Sequence, residues 1–126
     1  MAKTETATNL INWFEIPASD LARAKKFYEK ALGLKIQPME MPGMQMQMFP
    51  MEGERTGGAL VQSENHIPGQ DGALVYLNGG PQLEKTVKKV EKAGGQIVLP
   101  VTDIGQFGRI AQFIDSEGNR VALHSA

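Results

Sequence analysis

Two histidines, one tryptophan and a glutamate in an apolar strand are the residues of this chain best suited to chemistry. The segment Leu10 to Pro17 (LINWFEIP) alternates, with Trp13 and Glu15 on one face and Phe14 and Ile16 on the other. A carboxylate on the inward face of a strand is costly unless it is paired or used. Glu15 is therefore expected either to bond a neighbour such as Tyr76 or Arg120, or to act as a ligand contact or general base. Tyr76 and His124 fall in two further strand candidates and complete the catalytic candidates: Glu15 with Tyr76 suits acid–base transfer, and Glu15 with His124 would be an unorthodox metal pair. His124 is the third residue from the end of this sequence, where a structural or incidental role is the plainer reading. His66 lies in a polar, glycine- and proline-containing stretch and is expected to be exposed. With so few histidines, a nucleophile–His–acid triad has little support. The absence of cysteine removes thiolate metal sites, a thiol nucleophile and disulfides.

Other residues are suited to holding a molecule rather than transforming it. Met44, Met46 and Met48 of MQMQM share one strand face, which is either a buried wall or an adaptable surface for a flexible organic ligand. Trp13 offers a stacking surface. Leu74 shares a face with Tyr76, and Ala122 with His124. Phe107 and Arg109, in the loop TDIGQFGR, are expected to edge a pocket mouth. Neither glycine-rich phosphate pattern fits that loop.

The elements that position these residues occur twice. LARAKKFYEKALGLKIQP, beginning at Leu21, aligns without a gap on LEKTVKKVEKAGGQIVLP, beginning at Leu83. In the first half, a strand at Leu10–Pro17 precedes a helix capped by Ser19 or Asp20 that runs to Leu32, with Gly33 ending it. Strand candidates follow at Leu34–Met39, Met44–Phe49 and Gly58–Ser63, separated by MPG and the polar run MEGERTGG. In the second half a strand at Ala73–Asn78 precedes a helix opened by Pro81 and closed at Gly94–Gly95. Strands at Gln96–Pro100, Arg109–Asp115 and Arg120–Ser125 complete it. Gly33 and Gly95 are expected to be equivalent left-handed helix ends. DSEGN reads as a tight turn in which Asp115 and Asn119 bond the backbone and Gly118 takes positive φ.

Each half is thus βαβββ, and the fold class is α+β. At 126 residues and 41% hydrophobic content, the chain can bury one adequate core, whereas two independent halves would each be marginal. The expectation is a single domain over 1–126, with module one at 10–63, a linker at 64–72 and module two at 73–125. Two such sheets, curved by strand twist and with helices outside, make one mixed-sheet trough. Phe14, Ile16, Val75 and Leu77 suit the helix-covered side. Trp13, Glu15, Tyr76 and His124 should then converge on the concave side, with at least one of the three alternate methionines on its wall.

Paired βαβββ units, the run FEIPASDLARAKKFYEKALG and the closing DSEGNRVALHS resemble the vicinal oxygen chelate superfamily, which includes glyoxalase I, extradiol dioxygenases and bleomycin-resistance proteins. The resemblance spans Asn12 to Ser125 and implies a trough that, in the family's enzymes, holds one divalent metal through His or Glu from the first and last strands of each unit. At those places this chain has Trp13, Leu74 (or Ala73) and Ala122, and GGALVQS has no Asp, Glu or His. The resemblance therefore implies a metal-free, cofactor-free binder of a small, partly apolar organic molecule, of the bleomycin-resistance type. The alternative is a glyoxalase- or dioxygenase-like enzyme with unorthodox ligands or Glu15/Tyr76 chemistry; a third possibility is an interaction surface closed by a partner. A homodimer is expected. The formal charge of −1, with lysines spread over two helix faces, speaks against nucleic acid as a partner. The opening MAKTETATN lacks an apolar signal core and no stretch has the length of a membrane span, so a cytoplasmic protein without membrane association is expected.

Overall fold

The computed structural model describes residues 10–51 and 56–126. MAKTETATN and residues 52–55 of the polar run lie outside the described residues, and with them the expectation drawn from the N-terminal segment. The first module is β1 (Trp13–Pro17), α1 (Leu21–Leu32), β2 (Gln37–Met41), β3 (Met44–Met48) and β4 (Gly57–Gln62). The second is β5 (Tyr76–Asn78), α2 (Leu83–Lys92), β6 (Gln96–Asp103), β7 (Arg109–Ile114) and β8 (Arg120–Ser125). Two mixed four-stranded sheets result, ordered β1-β4-β3-β2 and β5-β8-β7-β6. In each, the first strand runs parallel to the last and the other pairs are antiparallel. The duplicated βαβββ order is therefore present as expected.

α1 forms where apolar residues recur at helical spacing, and it buries Leu21, Ala24, Phe27, Tyr28 and Ala31. The Asp20 side chain accepts from the Arg23 amide, and Gly33 closes the helix at φ 66° with its amide donating to Glu29. α2 differs at both ends. It starts after Gln82, so Pro81 lies outside it, and Thr86 Oγ1 donates to the Gly79 carbonyl across that entry. Its exit uses Gly94 at φ 102°, while Gly95 has no positive φ. The expected equivalence of Gly33 and Gly95 is thus corrected. Gly95 is required for space instead, because a Cβ there would meet Val90 Cγ1 at 2.7 Å and Phe27 Cζ at 3.0 Å.

Strand limits differ from the sequence reading where pairing decides them. Leu10 and Ile11 are exposed and β1 begins at Trp13. Ala73 to Val75 precede β5, an edge strand of three residues that pairs only with β8. β6 continues past Pro100 to Asp103, because register shifts between Leu99 and Thr102 carry the proline through an edge strand without requiring its missing N–H.

One core lies between sheets and helices: Ile16, Leu60, Leu77, Phe113 and Leu123 meet Phe27, Tyr28, Leu83 and Val90. α1 and α2 pack on each other within it. No helix among the described residues is long and apolar enough to cross a membrane.

DSEGN does more than turn. Asp115 Oδ1 accepts from the amides of Glu117 and Asn119 at 2.8 and 2.9 Å, and Gly118 has φ 89°. Asp115 Oδ2 also accepts from Tyr28 of α1 at 2.6 Å, and Asn119 Nδ2 donates to the Pro17 carbonyl at 2.7 Å. Glu117 accepts from the Ser19 and Asp20 amides and from Arg23, bridging to the start of α1. Burial pushes the Glu117 carboxyl up, but donors from Arg23, Asp20 and Ser116 together outweigh it and hold the group below its usual value.

Burial first, then the charge and hydrogen bond of Asp115, pushes the Tyr28 hydroxyl well above its ordinary pKa of 10.0. Above that pH the unfolded chain releases a proton that the folded chain keeps, so stability falls as pH rises; below it Tyr28 adds no pH dependence. Tyr28→Phe should flatten this alkaline limb. Urea midpoints of both proteins across the alkaline range check it, and parallel limbs would refute it.

Candidate functional site

Strand register sorts the side chains of module one. Trp13 is opposite Gly57, Glu15 opposite Ala59 and Pro17 opposite Val61, while Val61 is opposite Met46 and Met46 opposite Met39. These residues share the face turned away from α1. Phe14 and Ile16, one residue out of phase, pack into the helix-covered core. Met46, Ala59 and Val61 are buried together, with Met39 and Met44 packed on them. Met48, opposite Ala59 and half-buried, extends the wall.

The paired glycines of GGALVQS make room for two consecutive aromatic residues on opposite faces. A Cβ on Gly57 would come within 3.1 Å of the Trp13 ring, and a Cβ on Gly58 would enter the Phe14 ring. Trp13 thereby lies against β4, and its Nε1 donates to Glu15 Oε2 at 3.2 Å.

Glu15 is bonded neither to Tyr76 nor to Arg120. Its Oε1 meets His66 Nε2 at 2.8 Å, and His66 Nδ1 meets Ser63 Oγ at 2.7 Å. His66, expected to be exposed, has a side chain only 21% exposed and is bonded at both ring nitrogens. The linker folds back over the end of β4 in a turn where the His66 amide donates to the Ser63 carbonyl. The Ser-x-x-His spacing was the available sequence signal. Its glutamate partner lies 51 positions away and left no local trace.

Module two has a different set. Tyr76, Ala122 and Gln112 are opposite one another, as are Asn78, His124 and Ile110. Gln112 Nε2 lies 3.5 Å from the Tyr76 hydroxyl, and His124 Nε2 donates to the Phe107 carbonyl at 2.5 Å. Tyr76 and His124 line one depression of about 370 Å³, whereas Glu15 lines a seam of about 190 Å³ beside Asn119 and Arg120. Tyr76 is 45% exposed and Phe107 68%, while Ala122 is fully buried and Leu74 half-buried before β5. Arg109 belongs elsewhere: its phase in β7 matches Ala111 and Phe113 of the core, and it pairs with Glu84 of α2. Its expected place at the trough mouth is corrected, because register puts it on the helix side.

One cleft, of about 720 Å³, is walled by Met44, Gln45, Gln62, Ser63, His66 and Ile67 among others. A second of about 710 Å³ shares Met44 and Gln45 and adds Met39 and Met46. Both fall in the range of small-molecule sites. Among the described residues no three His, Cys, Asp or Glu side chains are grouped to hold a metal ion. Glu15 and His66 form one contact with no third carboxylate or imidazole grouped with them among the described residues, and the other implied places carry indole or aliphatic groups, so the described donor set does not fit the family's metal.

Residues 10–123 match the family model described as the Glyoxalase/Bleomycin resistance protein/Dioxygenase superfamily. A glyoxylase-like domain-containing protein of Didymella fabae is 35% identical over 118 residues, covering 90% of this chain and 91% of that protein. Glyoxalase I from Zea mays superposes with a TM-score of 0.67 at 25% identity, covering 90% of this chain and 45% of the maize chain. This chain thus spans less than half of that enzyme. TnmS3, an antibiotic binding protein from a Streptomyces species, superposes with a TM-score of 0.66 at 21% identity over 95% of this chain and 98% of its own.

Proposed function

The chain belongs to the Glyoxalase/Bleomycin resistance protein/Dioxygenase superfamily, and on that premise we propose that it binds a small, partly apolar organic molecule against the methionine wall of module one, without a metal ion. The observation that carries this reading is the makeup of that wall. Met39, Met44 and Met46 line open clefts of ligand size, and Trp13 takes the position where the family's resemblance implies a metal-binding side chain. Methionine side chains repack around irregular apolar shapes, and the nearby Glu15, His66 and Gln62 supply a few directional polar contacts. An antibiotic-like molecule, as in the name of the Streptomyces neighbour, has the right character. The glyoxylase-type name of the Didymella relative favours a lyase instead, but the donor set argues against the metal route to it.

Native mass spectrometry and elemental analysis of the gently purified protein test the proposal. The expected result is an organic adduct that dissociates on denaturation, with only substoichiometric metal. Rebinding of the recovered compound should quench Trp13 fluorescence, and Met44→Asp should weaken it by about 10-fold or more, since a charge would enter an apolar contact. One tightly held transition metal per chain, lost on Glu15→Gln or His124→Gln, would overturn it.

A further inference from the structure

The contacts among Ser63, His66 and Glu15 have the order of a nucleophile, a base and an orienting acid. We infer that they form a nucleophilic relay at the wall of the cleft between Met44 and Ile67, able to cleave a small carboxylic ester with a partly apolar acyl group. The inference rests on the reading of that cleft as a ligand site and adds a reaction to it.

The proton positions follow from the partners. An ionised Glu15 can only accept, so His66 Nε2 carries the hydrogen that it receives at 2.8 Å. In the neutral ring Nδ1 is then bare, and Ser63 Oγ donates its hydrogen to it over 2.7 Å. That is the tautomer needed to take a proton from the serine. The Asn65 amide also donates to Ser63 Oγ at 3.1 Å, supporting negative charge on that oxygen as it develops. A turn alone accounts for the Ser63 and Asn65 contacts. It does not account for the far nitrogen of His66 meeting a carboxylate on β1.

Ser63 and His66 both line the cleft, so the oxygen and base face space that a substrate can enter. Gln62 lines it as well; its Oε1 accepts from the Leu21 amide at 2.8 Å, which leaves its NH2 group as the kind of donor an oxyanion requires. In the reaction, Ser63 Oγ forms a bond to the ester carbonyl carbon while its proton passes to His66 Nδ1. The carbonyl π pair moves to oxygen. Collapse expels the alkoxide, which takes the proton from Nδ1, and leaves an acyl-serine. A water then attacks that carbonyl carbon, gives a proton to Nδ1, and the acid departs as Ser63 Oγ recovers it. Glu15 holds the imidazole and faces its positive charge; it is a positioning residue.

The test uses the full chain with p-nitrophenyl butyrate and a fluorophosphonate probe. The expected result is ester hydrolysis that falls by about 1,000-fold or more in Ser63→Ala and His66→Gln. Glu15→Gln should lower kcat by about 100-fold or more with KM changed less than about 3-fold. In the wild-type protein the probe should add to Ser63, a result that needs no variant to fold. Unchanged hydrolysis in Ser63→Ala, or a wild-type chain whose Ser63 stays unlabelled, would overturn the relay. Ligand capture with Ser63 unreactive would sink this inference and leave the binding function standing; a reactive Ser63 in a protein that retains no organic molecule would do the opposite.

Discussion

Replacing Asp115 by alanine is expected to lower stability by about 3–5 kcal/mol, the cost of breaking a buried charged network. Asp115 is 5% exposed and accepts from Tyr28 Oη, Asn119 Nδ2 and two backbone amides. Alanine would leave the Tyr28 hydroxyl without its partner in a fully buried position, and would free the turn that holds Asn119 against the Pro17 carbonyl. The loss therefore spreads to the contact between modules. Asp115→Asn keeps one accepting oxygen and the side-chain shape and should cost less than alanine, although its NH2 group would face two of the four donors. Urea unfolding of the two variants checks this. An Asp115→Ala protein within about 1 kcal/mol of the wild type would show that the network contributes little beyond the turn.

The second large effect is a contrast between neighbouring glycines. Gly58→Ala is expected to cost about 1–3 kcal/mol by overpacking, and Gly57→Ala clearly less. On Gly58 the new methyl would enter the Phe14 ring, which is tilted against Phe49 at a centroid distance of 5.6 Å, and Phe49 in turn touches Tyr28 edge-on. A shift of Phe14 must propagate into close-packed aromatic core. On Gly57 the nearest obstacle is Met51 Sδ at 2.5 Å, the end of a flexible and 47%-exposed side chain, and the Trp13 ring at 3.1 Å is 37% exposed. Both can move toward solvent. Thermal unfolding of the two single variants decides the order, and a larger loss in Gly57→Ala would mean that the Trp13 face is the more tightly packed one.

The site was partly legible because a strand has two faces. Trp13 and Glu15 could be assigned to one side and Phe14 and Ile16 to the other from alternation alone, and the core confirms the second set as helix-facing. Arg109 follows a loop, yet the same alternation, through its phase with Ala111 and Phe113, puts it on the helix side. Gly94 and Gly95 show a finer limit. Composition marks the end of α2, but only the approach of Phe27 and Val90 decides which glycine turns and which one leaves space.

By itself the sequence determined the duplicated βαβββ order, the turn at Gly118 and the apolar side of each first strand, because these depend on local periodicity and on neighbours a few positions away. Tertiary structure decided which polar groups meet. Tyr28 finds Asp115 across 87 positions, Arg23 finds Glu117 across 94, and the linker brings His66 between Ser63 and Glu15. A hydrogen bond is satisfied within about 3 Å and has no memory of chain separation. Apart from the local Ser63–His66 pair, which donor reaches which acceptor is therefore set by how the modules and their linker pack, and no spacing in the chain records it.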